Sequence, residues 1–267
     1  MIRKEYSELT FTDDFMFCKV LTANPELCRE LLELILNVKI RGLQFTESQK
    51  TIDSSYDGKG VRLDVFVEDE ANTVYDIEMQ TTREYDLPKR MRYYQGMLDM
   101  HLIEKGEPYA ALKKSYIIFI CLSDPFGKNF PLYHFQYTCR QDAGLQLGDE
   151  ADKVVLNAAG SREGLSENMA AFLDYLQGRG QASDLTNRLG RAVTKARDND
   201  EWGGEYMTLR MMLRDEREEG REEGREEGLS EGLERGRAEE RAIIAEEMAQ
   251  KDAEIEALKA KLAELAG

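Results

Sequence analysis

Histidine and cysteine are scarce in this sequence of 267 residues. It has two histidines and four cysteines, and the cysteines, at positions 18, 28, 121 and 139, form no Cys-x-x-Cys pair. This scarcity argues against a structural zinc site, which needs four such ligands at characteristic spacings. We expect the cysteines to be reduced, buried thiols of a cytoplasmic protein, and His101 and His134 to have structural roles.

Long apolar runs are also absent. The longest extends from Tyr116 to Leu122, whereas a membrane-spanning helix needs roughly 20 apolar residues. The first eight residues are polar, which is not typical of an export signal, so we expect a soluble protein with no membrane association. A phosphate-binding loop is not indicated either, because the glycines of the C-terminal repeat lack a Gly-Lys-Ser/Thr ending.

Acidic residues outnumber basic residues, 52 to 36. The formal net charge is -16, and residues 1–213 and 214–267 are both acidic. Binding to nucleic acid by bulk attraction requires clustered lysine and arginine, so the composition excludes that class of protein. A contact with a DNA backbone would need a local patch, and Lys89, Arg90 and Arg92 form the best candidate. A solvated helix face explains these three residues equally well.

Apolar periodicity predicts a mixed α/β layered domain. Thr12 is a candidate cap for a first helix and Pro25 begins a second, and both should cover one face of a sheet. The pattern then predicts strands at 43–52, 61–69 and 73–80, with a turn at Asp57-Gly58, a helix at 88–103 and a buried strand at 115–122. Antiparallel edge strands at 132–139 and 153–156, and helices at 166–176, 184–197 and 205–213, complete the prediction. This order of elements matches neither a Rossmann fold nor a helical bundle.

The strands at 61–69 and 73–80 should form a hairpin centred on Ala71. In that register Asp64 lies directly opposite Glu78 and Arg62 opposite Gln80, with all four on one face. Directly opposed Cβ atoms are about 4.5 to 5.5 Å apart, so the two carboxylates repel each other unless a cation lies between them. A hard cation held by carboxylates is the arrangement that phosphodiester hydrolysis uses.

A less specific interpretation of the hairpin remains open. On spacing alone, Asp64 and Glu78 could be ordinary polar residues on the wet face of an antiparallel pair. Against this interpretation, Asp64 is embedded among Leu63, Val65, Phe66 and Val67, and a carboxylate in such a strand usually has a partner.

Four motifs give the chain a resemblance to a known family. They are Arg62-Leu-Asp64-Val, Asp76-Ile-Glu78-Met-Gln80, Leu87-Pro-Lys-Arg-Met-Arg92-Tyr-Tyr94-Gln, and Tyr116-Ile-Ile-Phe-Ile-Cys-Leu-Ser-Asp124-Pro-Phe126. Together with the opening Phe11-Thr-Asp-Asp14 and the Arg-Glu-Glu-Gly repeat, they resemble the Rpn family of transposase-like PD-(D/E)XK nucleases over residues 8–210. The resemblance implies a restriction-endonuclease-like core with added edge strands and helices, followed by a C-terminal helical tail.

The resemblance also implies an activity. The family suggests a bacterial DNA endonuclease that requires Mg²⁺ or Mn²⁺ and acts in recombination, mobile elements or phage defence. By position, Asp64 and Glu78 would bind the metal, and Gln80 would replace the lysine that is general in the wider superfamily. Because a neutral amide stabilises negative charge less than an ammonium group does, a catalytically weak or inactive module that binds DNA or protein is the alternative.

Three further residues have auxiliary roles under the resemblance. Asp14 would add an acid from the first helix, although a capping acid in a first helical turn is an equally good interpretation. Arg92 and Tyr94 would touch a phosphate or brace the metal ligands. Tyr94 also lies on the apolar stripe of its helix, which favours a place in the core.

The C-terminal region, residues 214–267, should be a helical appendage to a nuclease-like domain of residues 1–213. Arg217-Glu-Glu-Gly220 repeats twice, which predicts a marginal helix, since an interior glycine costs about 1 kcal/mol relative to alanine. Apolar residues beyond it follow coiled-coil spacing, with Lys251 in one slot: Ile244, Met248, Ile255, Leu258, Leu262 and Leu265. We expect copies of the chain to form a homo-oligomer through these residues, which we call the tail seam. A helix that folds back on its own domain, or a scaffold protein with an incidental head, are the alternatives.

Overall fold

The computed structural model describes residues 4–48, 51–52, 61–83, 85–180 and 182–266. The predicted turn at Asp57-Gly58 lies outside the described residues. The chain divides into two units, Met1–Tyr206 and Met207–Gly267. The first unit is a mixed α/β structure, as predicted, and the second consists of a single long helix.

The strands of the first unit are β1 (Leu43–Ser48), β2 (Thr51–Ile52), β3 (Val61–Arg62), β4 (Val65–Asp69), β5 (Val74–Gln80), β6 (Ser115–Cys121), β7 (Leu132–Phe135) and β8 (Ala151–Asn157). Six of them form one sheet in the order β1-β4-β5-β6-β8-β7, and β2 pairs with β3 in a separate ladder. The three central strands, β5, β6 and β8, run parallel, while β1 with β4, β4 with β5, and β7 with β8 pair antiparallel.

The predicted edge position of residues 153–156 is wrong. These residues belong to β8, which lies inside the sheet and runs parallel to β6, so that only β7 forms an antiparallel edge on this side. Val154, Val155 and Leu156 are all buried, and consecutive apolar residues of this kind need cover on both faces of the sheet. The buried central strand predicted at 115–122 is confirmed as β6.

The strand predicted at 61–69 is broken at Leu63 and Asp64. The antiparallel register of β4 and β5 is the predicted one, with Val65 opposite Ile77. The ladder ends there, however, because Arg62 pairs with Thr51 of β2 and does not lie opposite Gln80 in a ladder. Likewise the strand predicted at 43–52 is divided into β1 and β2.

The helices are α1 (Asp14–Ala23), α2 (Pro25–Leu36), α3 (Leu87–Leu102), α4 (Glu167–Leu176), α5 (Asp184–Arg197) and α6 (Asp200–Ala266). Pro25 is the first residue of α2, as predicted. The predicted cap of α1 at Thr12 is wrong by one residue, since Asp13 holds that place. The Asp13 carboxylate accepts hydrogen bonds from the backbone N and Oγ1 of Thr10 and from Lys4 Nζ, which fixes the chain before the helix.

The two faces of the sheet have different covers. Helix α3 packs over the face that presents Phe66, Ile117 and Phe119, in a core cluster that includes Tyr94. Helix α1 contacts β1 and β4, and α2 contacts β1. Cys18, Cys28 and Cys121 are buried as predicted, whereas the prediction is wrong for Cys139, which is half-buried. Burial raises the pKa of Cys28 and of Cys121 to about 12.

Helix α6 begins before the predicted helix at 205–213 and continues through the Arg-Glu-Glu-Gly repeat. The described apolar side chains of the tail seam, namely Ile244, Met248, Ile255 and Leu258, are exposed. Leu262 and Leu265 lie where side chains are not described. No helix in the described part of the chain is long and apolar enough to cross a membrane.

Candidate active site

Two hydrogen bonds join Asp64 to β5, one to Glu78 and one to Met79, at the point where the β4–β5 ladder ends. The backbone N of Asp64 donates to Glu78 Oε1 at 2.9 Å, and the backbone N of Met79 donates to Asp64 Oδ2 at 3.1 Å. The bend at Asp64 therefore replaces a ladder bond with side-chain bonds and directs its carboxyl group toward β5. The two predicted acids do lie together, on neighbouring segments of chain.

Strand β5 presents three polar side chains to the interior. Asp76, Glu78 and Gln80 are 0%, 2% and 7% exposed, and they alternate with Tyr75, Ile77 and Met79 on the opposite face. In a solvated hairpin, Asp76, Glu78 and Gln80 would be exposed to solvent. The structure instead places them under α3, within the sheet's core.

Asp76 differs from Glu78 and Gln80 in its hydrogen bonding. Among the described residues, no nitrogen or hydroxyl donor forms a hydrogen bond with either of its carboxylate oxygens. The group that is close enough to share a proton with it is the Glu78 carboxyl. Buried carboxyl groups without donors are costly, and they usually coordinate a cation or take up a proton.

The ionisation of these acids reflects their crowding. Burial raises the pKa of Asp64 to about 6, and the nearby Asp14 adds to this rise, while the Met79 N–H bond opposes it. Burial also raises the pKa of Asp76 and of Glu78 well above the usual range, and repulsion among the three carboxyl groups increases both shifts. The site is thus short of positive charge.

Arg90 supplies the positive charge that contacts these acids. Its Nη2 donates to Glu78 Oε2 at 3.1 Å and to the Tyr94 hydroxyl at 2.8 Å, and its Nη1 donates to Gln80 Oε1 at 2.8 Å. The guanidinium also lies 5.0 Å from the centroids of the Tyr94 and Phe119 rings. The sequence predicts a surface patch of Lys89, Arg90 and Arg92, but the Arg90 side chain turns toward the sheet, where it bonds Glu78 and Gln80.

The remaining predicted residues separate into two groups. Tyr94 is buried in the core, as the apolar stripe predicts, and its hydroxyl also accepts hydrogen bonds from Arg90. Lys89 and Arg92 are exposed on α3, and Lys89 is 3.7 Å from Asp86. Asp14 is at the surface, yet enough protein surrounds its carboxyl that partial desolvation raises its pKa, a rise that the charge of Arg62 opposes.

The donor set suits a hard divalent cation. Asp64 is half-buried, Asp76 and Glu78 are buried, and no donor among the described residues bonds the carboxylate oxygens of Asp76. Within the described ranges, no group of three acidic, histidine or cysteine side chains is placed to hold a metal ion, so these side chains alone form no metal cage. Mg²⁺ commonly uses only one or two protein carboxylates and completes its shell with water and substrate phosphates, so such a cage is not required.

Comparison with known families agrees with this geometry. Residues 11–146 match the family described as PD-(D/E)XK nuclease family transposase. The chain belongs to this family. The match includes Asp14, the β4–β5 hairpin and α3, so every residue of the candidate site lies within it. The family indicates a nuclease-like function. Comparisons with curated proteins and with solved structures found no match.

Two features of this PD-(D/E)XK site were missed by sequence reasoning. Asp76 stands two residues before Glu78, so strand alternation puts both on one face, but alternation could not show that no donor in the described part of the chain bonds Asp76. The inward direction of Arg90 had one available signal, its spacing of four residues from the apolar-stripe residue Tyr94, which places both on one side of α3.

Proposed function

We propose that this chain is a metal-dependent DNA endonuclease that hydrolyses phosphodiester bonds. The observation that carries the proposal is the cluster of the half-buried Asp64 with the buried Asp76 and Glu78, against which the described residues place one hydrogen-bonded cation, the Arg90 guanidinium. A set of buried acids with too little positive charge suits a site that works with a divalent cation and a phosphate bound. Family membership supports the same class of reaction.

The proposed reaction is a simple displacement at phosphorus. A water oxygen bonds to the phosphorus, and the bond from phosphorus to the leaving sugar oxygen breaks. The water loses one proton and the leaving oxygen gains one, so no oxidant or reductant is needed. Asp64 and Glu78 would hold Mg²⁺ or Mn²⁺ through their carboxylate oxygens. When bound, such an ion polarises the phosphoryl group and lowers the pKa of water.

The DNA backbone would contact the exposed basic side chains of α3. Lys89 and Arg92 are exposed on the helix that also carries Arg90 into the site. Phosphate contacts of this kind fix the position of a duplex without reading its sequence. The acidic remainder of the chain would restrict binding to this local surface.

We also propose that two or more copies associate through the tail seam. Its described residues project exposed apolar side chains from α6, and a helix that presents such a row to water gains by pairing with another. The occupant is a second copy of this chain, because a seven-residue repeat pattern is self-complementary. Pairing would bring two cutting sites to one DNA molecule.

Cleavage of supercoiled plasmid tests the enzymatic proposal. With Mg²⁺ or Mn²⁺ the wild-type chain should nick the plasmid, and Asp64→Ala and Glu78→Ala should each reduce the rate by about 100-fold or more. Asp174→Asn is the control. Asp174 lies on α4, outside the site, and its carboxylate pairs with Arg162 and Arg179. Nicking that survives both site substitutions would refute the assignment.

A binding module without cleavage is the second candidate. The observation in its favour is that Gln80, a neutral residue, occupies the position at which the wider superfamily has a lysine. Measured DNA affinity with no nicking by the wild-type chain would support this candidate and refute the endonuclease.

A further inference from the structure

The side-chain amide of Gln80 is held at both of its ends. Its Nε2 donates to the backbone O of Thr82 at 2.9 Å and to Thr82 Oγ1 at 3.1 Å. Its Oε1 then has one possible direction, and there it accepts the hydrogen bond from Arg90 Nη1. A lysine at position 80 could not accept this bond, and its ammonium group would lie beside a guanidinium. Gln80 and Arg90 are therefore a chemically matched pair.

Arg90 has hydrogen-bonding capacity left over. A guanidinium carries five N–H donors, one on Nε and two on each Nη. Nε and Nη2 bond Tyr94 and Glu78, and Nη1 directs one N–H to Gln80. In the described part of the chain the second N–H of Nη1 has no acceptor. The side chain is 35% exposed, so an oxygen from outside the protein can reach it.

We propose that Arg90 contacts the reacting phosphate and supplies the positive charge expected from a lysine at position 80, with Gln80 as its positioning residue. This inference rests on the proposed endonuclease function. Arginine stays protonated, so its contribution is electrostatic: it stabilises negative charge that grows on the phosphoryl oxygens and transfers no proton. The remaining N–H of Nη1 would donate a charge-assisted hydrogen bond to one phosphoryl oxygen.

Exchange of the two side chains tests the pairing. Single-turnover nicking is measured for wild type, Arg90→Gln, Gln80→Lys and the double variant Gln80→Lys/Arg90→Gln. Arg90→Gln should reduce the rate by about 100- to 1,000-fold, the usual loss when one such donor is removed. Gln80→Lys should also reduce it, because two cations then compete for one place. The double variant, which has one cation again, should be faster than either single variant, and a purely structural role for Arg90 would not produce this recovery.

Arg188→Gln is the matched control. Arg188 has a similar exposure of 32% and is also ion-paired, with Glu30 and Asp184, but it lies on α5. Its substitution should leave the nicking rate unchanged. DNA affinity is measured in Ca²⁺ beside each rate, and Arg90→Gln should change it by less than about threefold, since the phosphate contact matters most in the transition state.

The outcomes separate the two proposals. If wild type nicks and Asp64→Ala does not, but Arg90→Gln nicks at the wild-type rate, the Arg90 proposal fails and the endonuclease stands. A double variant no faster than both single variants also overturns it. If wild type does not nick at all, both proposals fail. Thermal melts accompany every variant, and if Arg90→Gln does not fold, Arg90→Lys replaces it, with a retained charge and an intermediate rate expected.

Discussion

Replacement of Asp76 by asparagine should stabilise the metal-free protein at neutral and alkaline pH. Burial and the neighbouring acids raise the pKa of Asp76 in the folded state, while an unfolded chain leaves it near its ordinary value of about 3.9. The folded protein therefore holds a proton that the unfolded protein has lost. Stability falls as pH rises above about 4, up to the folded-state pKa, and asparagine removes this dependence.

The magnitude follows from the environment of the carboxyl group. Asp76 is fully buried and its oxygens have no donor among the described residues. An unpaired buried charge costs more than the roughly 1 to 3 kcal/mol of a neutral polar group, so at pH 8 the carboxyl group costs about 1 to 3 kcal/mol more than a neutral amide in the same place. The isosteric Asp76→Asn should gain about this amount at pH 8 and nothing near pH 4. In thermal melts the gain corresponds to roughly 2 to 4 °C per kcal/mol for a domain of this size.

Thermal or urea unfolding at pH 5 and pH 8, in the presence of a chelator, measures this effect. Asp152→Asn is the comparison, because Asp152 is equally buried but accepts hydrogen bonds from His134 and Gln136. It should destabilise the protein, since charge-assisted bonds are lost. If Asp76→Asn also destabilises at pH 8, Asp76 has a partner in solution and the reasoning is refuted.

Two further predictions concern other parts of the molecule. In urea titrations, Gly160→Ala should destabilise the protein by about 1 to 3 kcal/mol, because its Cβ would lie 2.6 Å from Pro131 Cα. Gly96→Ala, in open space on α3, should stabilise the protein by about 0.5 to 1 kcal/mol in the same titrations. Ile255→Asp with Leu258→Asp should reduce the mass measured by light scattering to that of one chain, and a chain ending at Leu213 should behave alike; an unchanged mass in both would exclude assembly through the tail seam.

Local pattern accounts for the parts of the fold that were predicted from sequence. Alternation along β5 and the turn at Ala71 set the β4–β5 register, because a shift of one residue would move every side chain to the wrong face. The buried strand β6 and the start of α2 at Pro25 were also predicted correctly, because each signal depends only on residues that are neighbours in the sequence. These signals brought Asp64 and Glu78 together correctly.

Contacts between distant segments decided the rest. The bend at Asp64 exists because its N–H and carboxyl group bond to Glu78 and Met79, and β8 lies inside the sheet because it pairs with β6 on one side and β7 on the other. The sequence shows that Arg90 is a cation on a helix, but not that the helix lies over β5. Electrostatic attraction and burial act through space, so the charge balance of the site was set by tertiary packing, while the sequence alone determined which acids could take part.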